Sequence, residues 1–138
     1  MNSLFKIYFK IINEAKFKNS KWKFDKVVNN VEIYENIVHL QERLTERYQK
    51  NIYEWFAWKT IKRQITDYIN INNIWKLCSK HNNYQKMCVC HLTKTDLWSA
   101  FIIQNDLEES KQRIYFSTFL PNENTRIHSN VLKFEIPI

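Results

Sequence analysis

The stretch CSKHNNYQKMCVCH, residues 78–91, contains all three cysteines of the chain and two of its four histidines. A structural zinc site needs four Cys or His ligands within bonding range. This stretch supplies four candidates: Cys78, His81, Cys88 and Cys90. The single residue between the last two is tighter than the usual zinc knuckle, and no glycine is present to bend it. We therefore expect free buried cysteines and no cofactor, with zinc as the alternative.

Other catalytic chemistries find weaker support. Thiol catalysis requires a cysteine beside a histidine that holds it as thiolate, and Cys90 and His91 face opposite ways if they lie on a strand. A carboxylate nuclease site requires two or three acids that converge on a divalent ion. The predicted sheet half contains Asp96, Asp106, Glu108, Glu109, Glu123 and Glu135, and most of these acids fall in predicted turns. The sequence therefore predicts a protein that is not an enzyme.

Glycine is absent from the chain. Phosphate-binding loops of the Walker and Rossmann types need glycine so that backbone N–H groups can approach the anion, so these nucleotide sites are excluded. Left-handed turn positions must be occupied by Asn or Asp. We place turns at four pairs: Asn29-Asn30, Asn72-Asn73, Asn82-Asn83 and Asn105-Asp106.

The segment AKFKNSKWKFDK, residues 15–26, alternates lysines with aromatic residues. The pattern around Lys21–Phe24 predicts an extended segment with one cationic and one aromatic face. Ammonium groups release counterions from phosphates and aromatic rings stack on unpaired bases, so the segment suits nucleic acid. The candidate contacts are Lys16, Lys18, Lys21, Trp22, Lys23, Phe24 and Lys26. The alternative is an ordinary edge strand whose lysines face water.

A second basic group lies on a predicted helix, where Lys59, Lys62 and Arg63 project together at spacings of three and four. Residues 1–63 carry 13 basic and 7 acidic side chains, whereas residues 64–138 carry 8 and 7. The positive field therefore belongs to the N-terminal half, although 16 Asn, 17 Ile and 16 Lys are also typical of an AT-rich gene from a virus, organelle or mobile element. Coding bias is thus an alternative source of the basicity.

Two function classes follow from these residues. The first is a small basic binding protein that contacts nucleic acid or a nucleoprotein. The second is an inhibitor, immunity factor or assembly factor that forms a stoichiometric complex with a protein target, with tryptophans as anchors. The candidate anchors are Trp55, Trp58, Trp75 and Trp98.

The hydrophobic pattern predicts one α+β domain over residues 1–138, with a helical half at about 1–80 and a sheet half at about 86–138. We expect N-terminal helices packed on one face of a C-terminal antiparallel sheet of about four strands. The predicted helices are Leu4–Ile12, Val31–Tyr48, Ile52–Ile69 and Ile71–Ser79. The predicted strands are Met87–Leu92, Leu97–Ile103, Gln112–Leu120 and Val131–Ile136, with a helix beginning after Asp96 as the alternative for the second.

The sequence also bears on compartment. No uncharged run exceeds nine residues, which is far short of a membrane span. An odd number of cysteines in a chain large enough to bury a core favours a reducing environment. We expect a cytoplasmic protein, or one from another reducing intracellular compartment.

Overall fold

A computed structural model describes residues 22–52, 57–121 and 129–138. The order of elements is β1 (Lys23–Val28), β2 (Val31–Glu35), α1 (Ile37–Tyr48), α2 (Ala57–Ile71), β3 (Gln85–Leu92), β4 (Leu97–Asp106), β5 (Lys111–Leu120) and β6 (Leu132–Ile136). Two short 3-10 turns, Ile74–Leu77 and Lys80–Asn82, connect α2 to β3. The α+β class predicted from the sequence is confirmed.

The strands form one mixed sheet of six, in the order β1-β2-β5-β4-β3-β6. Strands β3, β4 and β5 form the predicted antiparallel meander. The expectation of about four antiparallel strands is wrong in two respects. Two further strands precede the helices, and β6 pairs with β3 in parallel, as β2 does with β5.

The predicted helix Val31–Tyr48 begins six residues too early, because Val31–Glu35 is strand β2. Val31, Ile33 and Glu35 are buried in alternation, the period of a strand. The backbone N–H of Asn36 donates to the carbonyl of Phe116, so the chain leaves the sheet there before α1 begins.

The remaining predicted helices differ at their ends. Helix α2 is described over Ala57–Ile71 and so ends two residues beyond the predicted helix Ile52–Ile69, of which residues 53–56 lie outside the described residues. The helix predicted at Ile71–Ser79 is reduced to the 3-10 turn Ile74–Leu77. The predicted helix Leu4–Ile12 lies outside the described residues.

Asparagine takes several of the left-handed positions. Asn29 and Asn30 both have positive φ and form the two-residue turn of the β1–β2 hairpin, the geometry that matches the twist of paired strands. Asn73 and Asn83 also have positive φ, as predicted. The prediction for Asn105-Asp106 is wrong, because both residues belong to β4 and the left-handed residue of the next turn is Ser110.

The core lies between the helices and one face of the sheet. Its largest fully buried side chains include Phe101, Phe116 and Phe119 from the sheet, and Trp58 of α2 packs edge-on against the last two. Trp58 and Trp75 are each only 4% exposed, so neither is available as an interface anchor. No helix within the described ranges is long and apolar enough to cross a membrane.

Candidate nucleic-acid interface

Strand β1 places cations on one face and apolar side chains on the other. Lys23 and Lys26 pair with Glu35 and Ile33, on the face that packs against the helices. Residues three apart on a regular strand lie on opposite faces. A bulge at Asp25 inserts one extra residue, so Lys23 and Lys26 lie on the same face. Phe24 pairs with Tyr34 on the opposite face. The cationic and aromatic faces are therefore separated by the thickness of one edge strand.

Helix α2 adds Lys59 and Arg63, which are four residues apart and exposed. Partial burial lowers the pKa of Lys26, Asp25 acts in the opposite direction, and the charges of Lys62, Lys59 and Arg63 lower it further. The contact of Lys62 of α2 with Asp25 of β1 at 2.7 Å likewise brings Lys26 near the cations of α2. We call Lys23, Lys26, Lys59 and Arg63 the cationic surface.

Lys62 does not belong to this surface, contrary to the prediction. It is 5% exposed, and its Nζ donates to Asp25 Oδ2 at 2.7 Å and to Glu35 Oε1 at 2.5 Å. Its ammonium also lies 5.5 Å from the centroid of the Trp58 ring, in a cation–π contact. Lys62 therefore joins α2 to the first two strands and is unavailable to a phosphate.

Four rings form what we call the aromatic row: Trp22, Phe24, Tyr34 and Tyr115. Phe24 meets Tyr34 edge-on with centroids 5.6 Å apart, and Tyr34 stacks on Tyr115 at 5.0 Å. The ring of Trp22 approaches Tyr115 edge-on at 5.3 Å. Phe24 is 56% exposed, whereas the other three rings are half-buried.

An acid-rich network adjoins the aromatic row on the same face. Arg113 donates to Glu32 at 2.9 Å, to Asp106 at 2.9 Å and to Glu109 at 2.5 Å, and Lys111 lies 3.5 Å from Glu32. The hydrogen bond from Arg113 lowers the pKa of Glu32. Two of the acids considered for a nuclease site, Asp106 and Glu109, are thus engaged with Arg113. The network carries one more negative than positive charge.

The three cysteines of the stretch at residues 78–91 lie in the core. Cys78, Cys88 and Cys90 are free and buried, and burial raises the pKa of Cys78 to about 11 and that of Cys90 to about 12. His81, by contrast, is exposed. Across the described parts of the chain, no three His, Cys, Asp or Glu side chains are arranged to hold a metal ion. These thiols therefore resemble packed core groups more than metal ligands or nucleophiles.

His91 lies on the opposite face of β3 from Cys90, so the two do not form a catalytic pair. Its Nε2 is 2.7 Å from Asp96 Oδ1, and its ring stacks on Trp98 with centroids 4.1 Å apart. Glu135 lies 3.6 Å from the other ring nitrogen. The histidine is thus held by a hydrogen bond and a stacking contact on the sheet surface.

Three predicted contacts, Lys16, Lys18 and Lys21, lie outside the described residues, as does Trp55. Comparisons of the chain with protein-family models, with curated proteins and with solved structures each found no match. The candidate interface is therefore argued from its own geometry.

Sequence reasoning missed the Arg113 network and the ion pairs of Lys62. The first joins β2 to β5 across 81 residues, a separation that no local pattern encodes. The sequence did contain a signal for the ion pairs of Lys62. Glu35 follows Val31 and Ile33 at strand spacing, which predicts that its side chain is buried. A buried carboxylate requires a cationic partner.

Proposed function

We propose that this protein binds nucleic acid, free or within a nucleoprotein, through the cationic surface. The observation that carries the proposal is the contact of Lys62 with Asp25 at 2.7 Å, which brings the exposed cations of α2, Lys59 and Arg63, beside the lysines of β1. In the described part of the chain, no carboxylate forms an ion pair with Lys23, Lys26, Lys59 or Arg63. Repulsion among unpaired cations is relieved when phosphates bind and their counterions are released.

Charge clustering supports this function better than net charge does. Lysines that merely follow coding bias would be distributed over the surface, where isolated cations are normal. Here β1 and α2, which are far apart in the sequence, bring their cations to one place. Lys62 just beneath is paired with two carboxylates, Asp25 and Glu35, and the four surface cations outnumber the one excess negative charge of that cluster. The surface cations are thus left to act on an external anion.

The test is a salt titration of binding to a labelled oligonucleotide, measured by fluorescence anisotropy. The triple variant Lys26→Glu, Lys59→Glu, Arg63→Glu should lose most of its affinity at low salt. If three phosphate contacts are lost, the slope of log affinity against log salt should fall by about 2. The control Lys76→Glu, Lys80→Glu, Lys94→Glu reverses three exposed lysines elsewhere. Both variants lower the formal net charge by six, from +7 to +1.

The control separates a local surface from generic charge. Retained binding in the control together with lost binding in the first variant supports the cationic surface. Equal loss in both variants would show that only net charge matters and would contradict the proposal. Absence of binding by the native chain at low salt would also contradict it and would favour the protein-partner class.

A further inference from the structure

We infer that the nucleic acid bound here is single stranded and that one unpaired base stacks on the ring of Phe24. This inference rests on the proposed function, because it uses the same edge strand as the cationic surface. It adds the class of nucleic acid and the residue that selects it.

Phe24 is the only Phe, Tyr or Trp side chain in the described ranges that is classed as exposed. Its ring meets Tyr34 at 67° between ring planes, and 56% of the Phe24 side chain stays exposed to solvent beside that contact. Tyr34 is held in turn by its stack on Tyr115. A ring fixed by neighbours before binding loses little conformational entropy when a base stacks on it.

The position of β1 at the edge of the sheet determines which strand can reach that ring. Lys23 and Phe24 are adjacent and lie on opposite faces, so a ligand that contacts both must cross the edge of the strand. A flexible single strand can place its phosphates on the lysine side and turn a base over the edge. In a duplex the base faces are already covered by their stacking neighbours, so Phe24 would have no partner.

Electrostatics favours the same orientation. The Arg113 network next to the aromatic row holds three carboxylates, Glu32, Asp106 and Glu109, against the two cations Arg113 and Lys111. This excess negative charge repels phosphates from the aromatic face and does not repel a neutral base. The phosphates therefore remain with Lys23 and Lys26 while the base lies over Phe24.

The experiment compares an oligothymidylate of about 16 nucleotides with a duplex of the same length, using the whole chain at fixed low salt. Phe24→Ala should weaken binding to the oligothymidylate by about 5- to 150-fold, the range for loss of one stacked base. It should leave affinity for the duplex within about twofold. Phe24→Trp, which keeps an aromatic face, should retain tight binding.

Two further variants serve as controls. Leu107→Ala removes an exposed apolar side chain from the β4–β5 turn and should change neither affinity. Phe24→Leu keeps apolar bulk without a π face, so it keeps the test decisive if Phe24→Ala fails to fold. It should bind the single strand as poorly as Phe24→Ala.

The outcomes distinguish this inference from the proposed function. If the native chain binds single strand and duplex equally, and Phe24→Leu binds the single strand normally, the stacking inference is overturned while the cationic surface remains. If the native chain binds neither probe at low salt, both are overturned. Equally tight binding of polyglutamate would overturn the single-strand inference, because it would show a surface that takes any polyanion.

Discussion

Lys62 Nζ and Glu35 Oε1 lie 2.5 Å apart, and both side chains are at most 9% exposed. The pair joins the middle of α2 to the end of β2, and Asp25 adds a second carboxylate from the bulge of β1. Three elements are thus fastened directly beneath the cationic surface. Because charges removed from water are tolerated only when paired, each member of this cluster depends on the others.

Replacement of Lys62 by Met should destabilise the protein by about 3–5 kcal/mol. The substitution leaves the buried carboxylate of Glu35 without its cation. Asp25, which shares Lys62, is also a carboxylate and cannot compensate the charge of Glu35. Urea unfolding followed by tryptophan fluorescence measures the free energy of unfolding directly.

Lys59→Met is the matched control, because Lys59 lies three residues away on the same helix and is exposed. It should change stability by no more than about 0.5 kcal/mol. The double variant Lys62→Met, Glu35→Gln should recover part of the loss, since the uncompensated charge is gone. Equal stabilities for Lys62→Met and Lys59→Met would contradict the buried pair.

Tyr48→Phe should destabilise the protein by about 1–3 kcal/mol. The hydroxyl of Tyr48 donates to the carbonyl of Leu120 at 2.6 Å and accepts from the backbone N–H of Trp98 at 3.2 Å. Loss of the hydroxyl leaves the carbonyl of Leu120 and the N–H of Trp98 without this hydrogen-bond partner. The measurement is the thermal unfolding of Tyr48→Phe. The control is Tyr68→Phe, which keeps the ring that stacks on Phe134. A Tyr68→Phe effect as large as that of Tyr48→Phe would refute the role of the hydroxyl.

Stability should fall at alkaline pH because of the buried thiols. Burial raises the pKa of Cys78 to about 11 and of Cys90 to about 12, from an ordinary value of 9.0. Below about pH 9 the thiols are protonated in both states and stability is intact. Above it the unfolded chain releases protons that the folded chain retains, so each thiol removes about 1 kcal/mol between about pH 9 and pH 10.

The measurement is the free energy of unfolding at neutral pH and at two alkaline values, in the presence of reductant. Cys90→Ala should reduce the alkaline loss, whatever its effect on stability at neutral pH. The folded protein should also resist alkylation at pH 8, while all three thiols react in urea. Rapid labelling of the folded chain would indicate that the thiols are accessible and would contradict this account.

Local patterns predicted local features of the fold well. The alternation around Lys23 and Phe24 identified a strand with two different faces, and the pair Asn29-Asn30 identified its turn. Helix α1 was predicted with the right end and the wrong start, because Ile33 and Ile37 continue the spacing of Leu40 and Leu44 across the boundary at Asn36. Apolar residues at strand spacing and helix spacing overlap when the two elements are consecutive.

The pairing of strands that are distant in the chain could not be predicted from the sequence. The parallel contact of β6 with β3 depends on backbone hydrogen bonds that carry no side-chain signature. Lys62 was assigned to the surface with Lys59 and Arg63. Its position on the helix lies at the border between the exposed face and the buried face, so its spacing agrees with either location. Its burial follows from the position of Glu35, which only the correct assignment of β2 would have located.

The parallel pairing of β2 with β5 has a consequence for how the protein folds during its synthesis. Glu32 and Arg113 meet across 81 residues, so β2 finds its inner neighbour only after Lys111–Leu120 has been synthesised. Until then the hairpin of β1 and β2 leaves the ribosome with one edge open, and α1 lacks the strand on which it packs. Such distant closure slows folding and exposes strand edges to other chains.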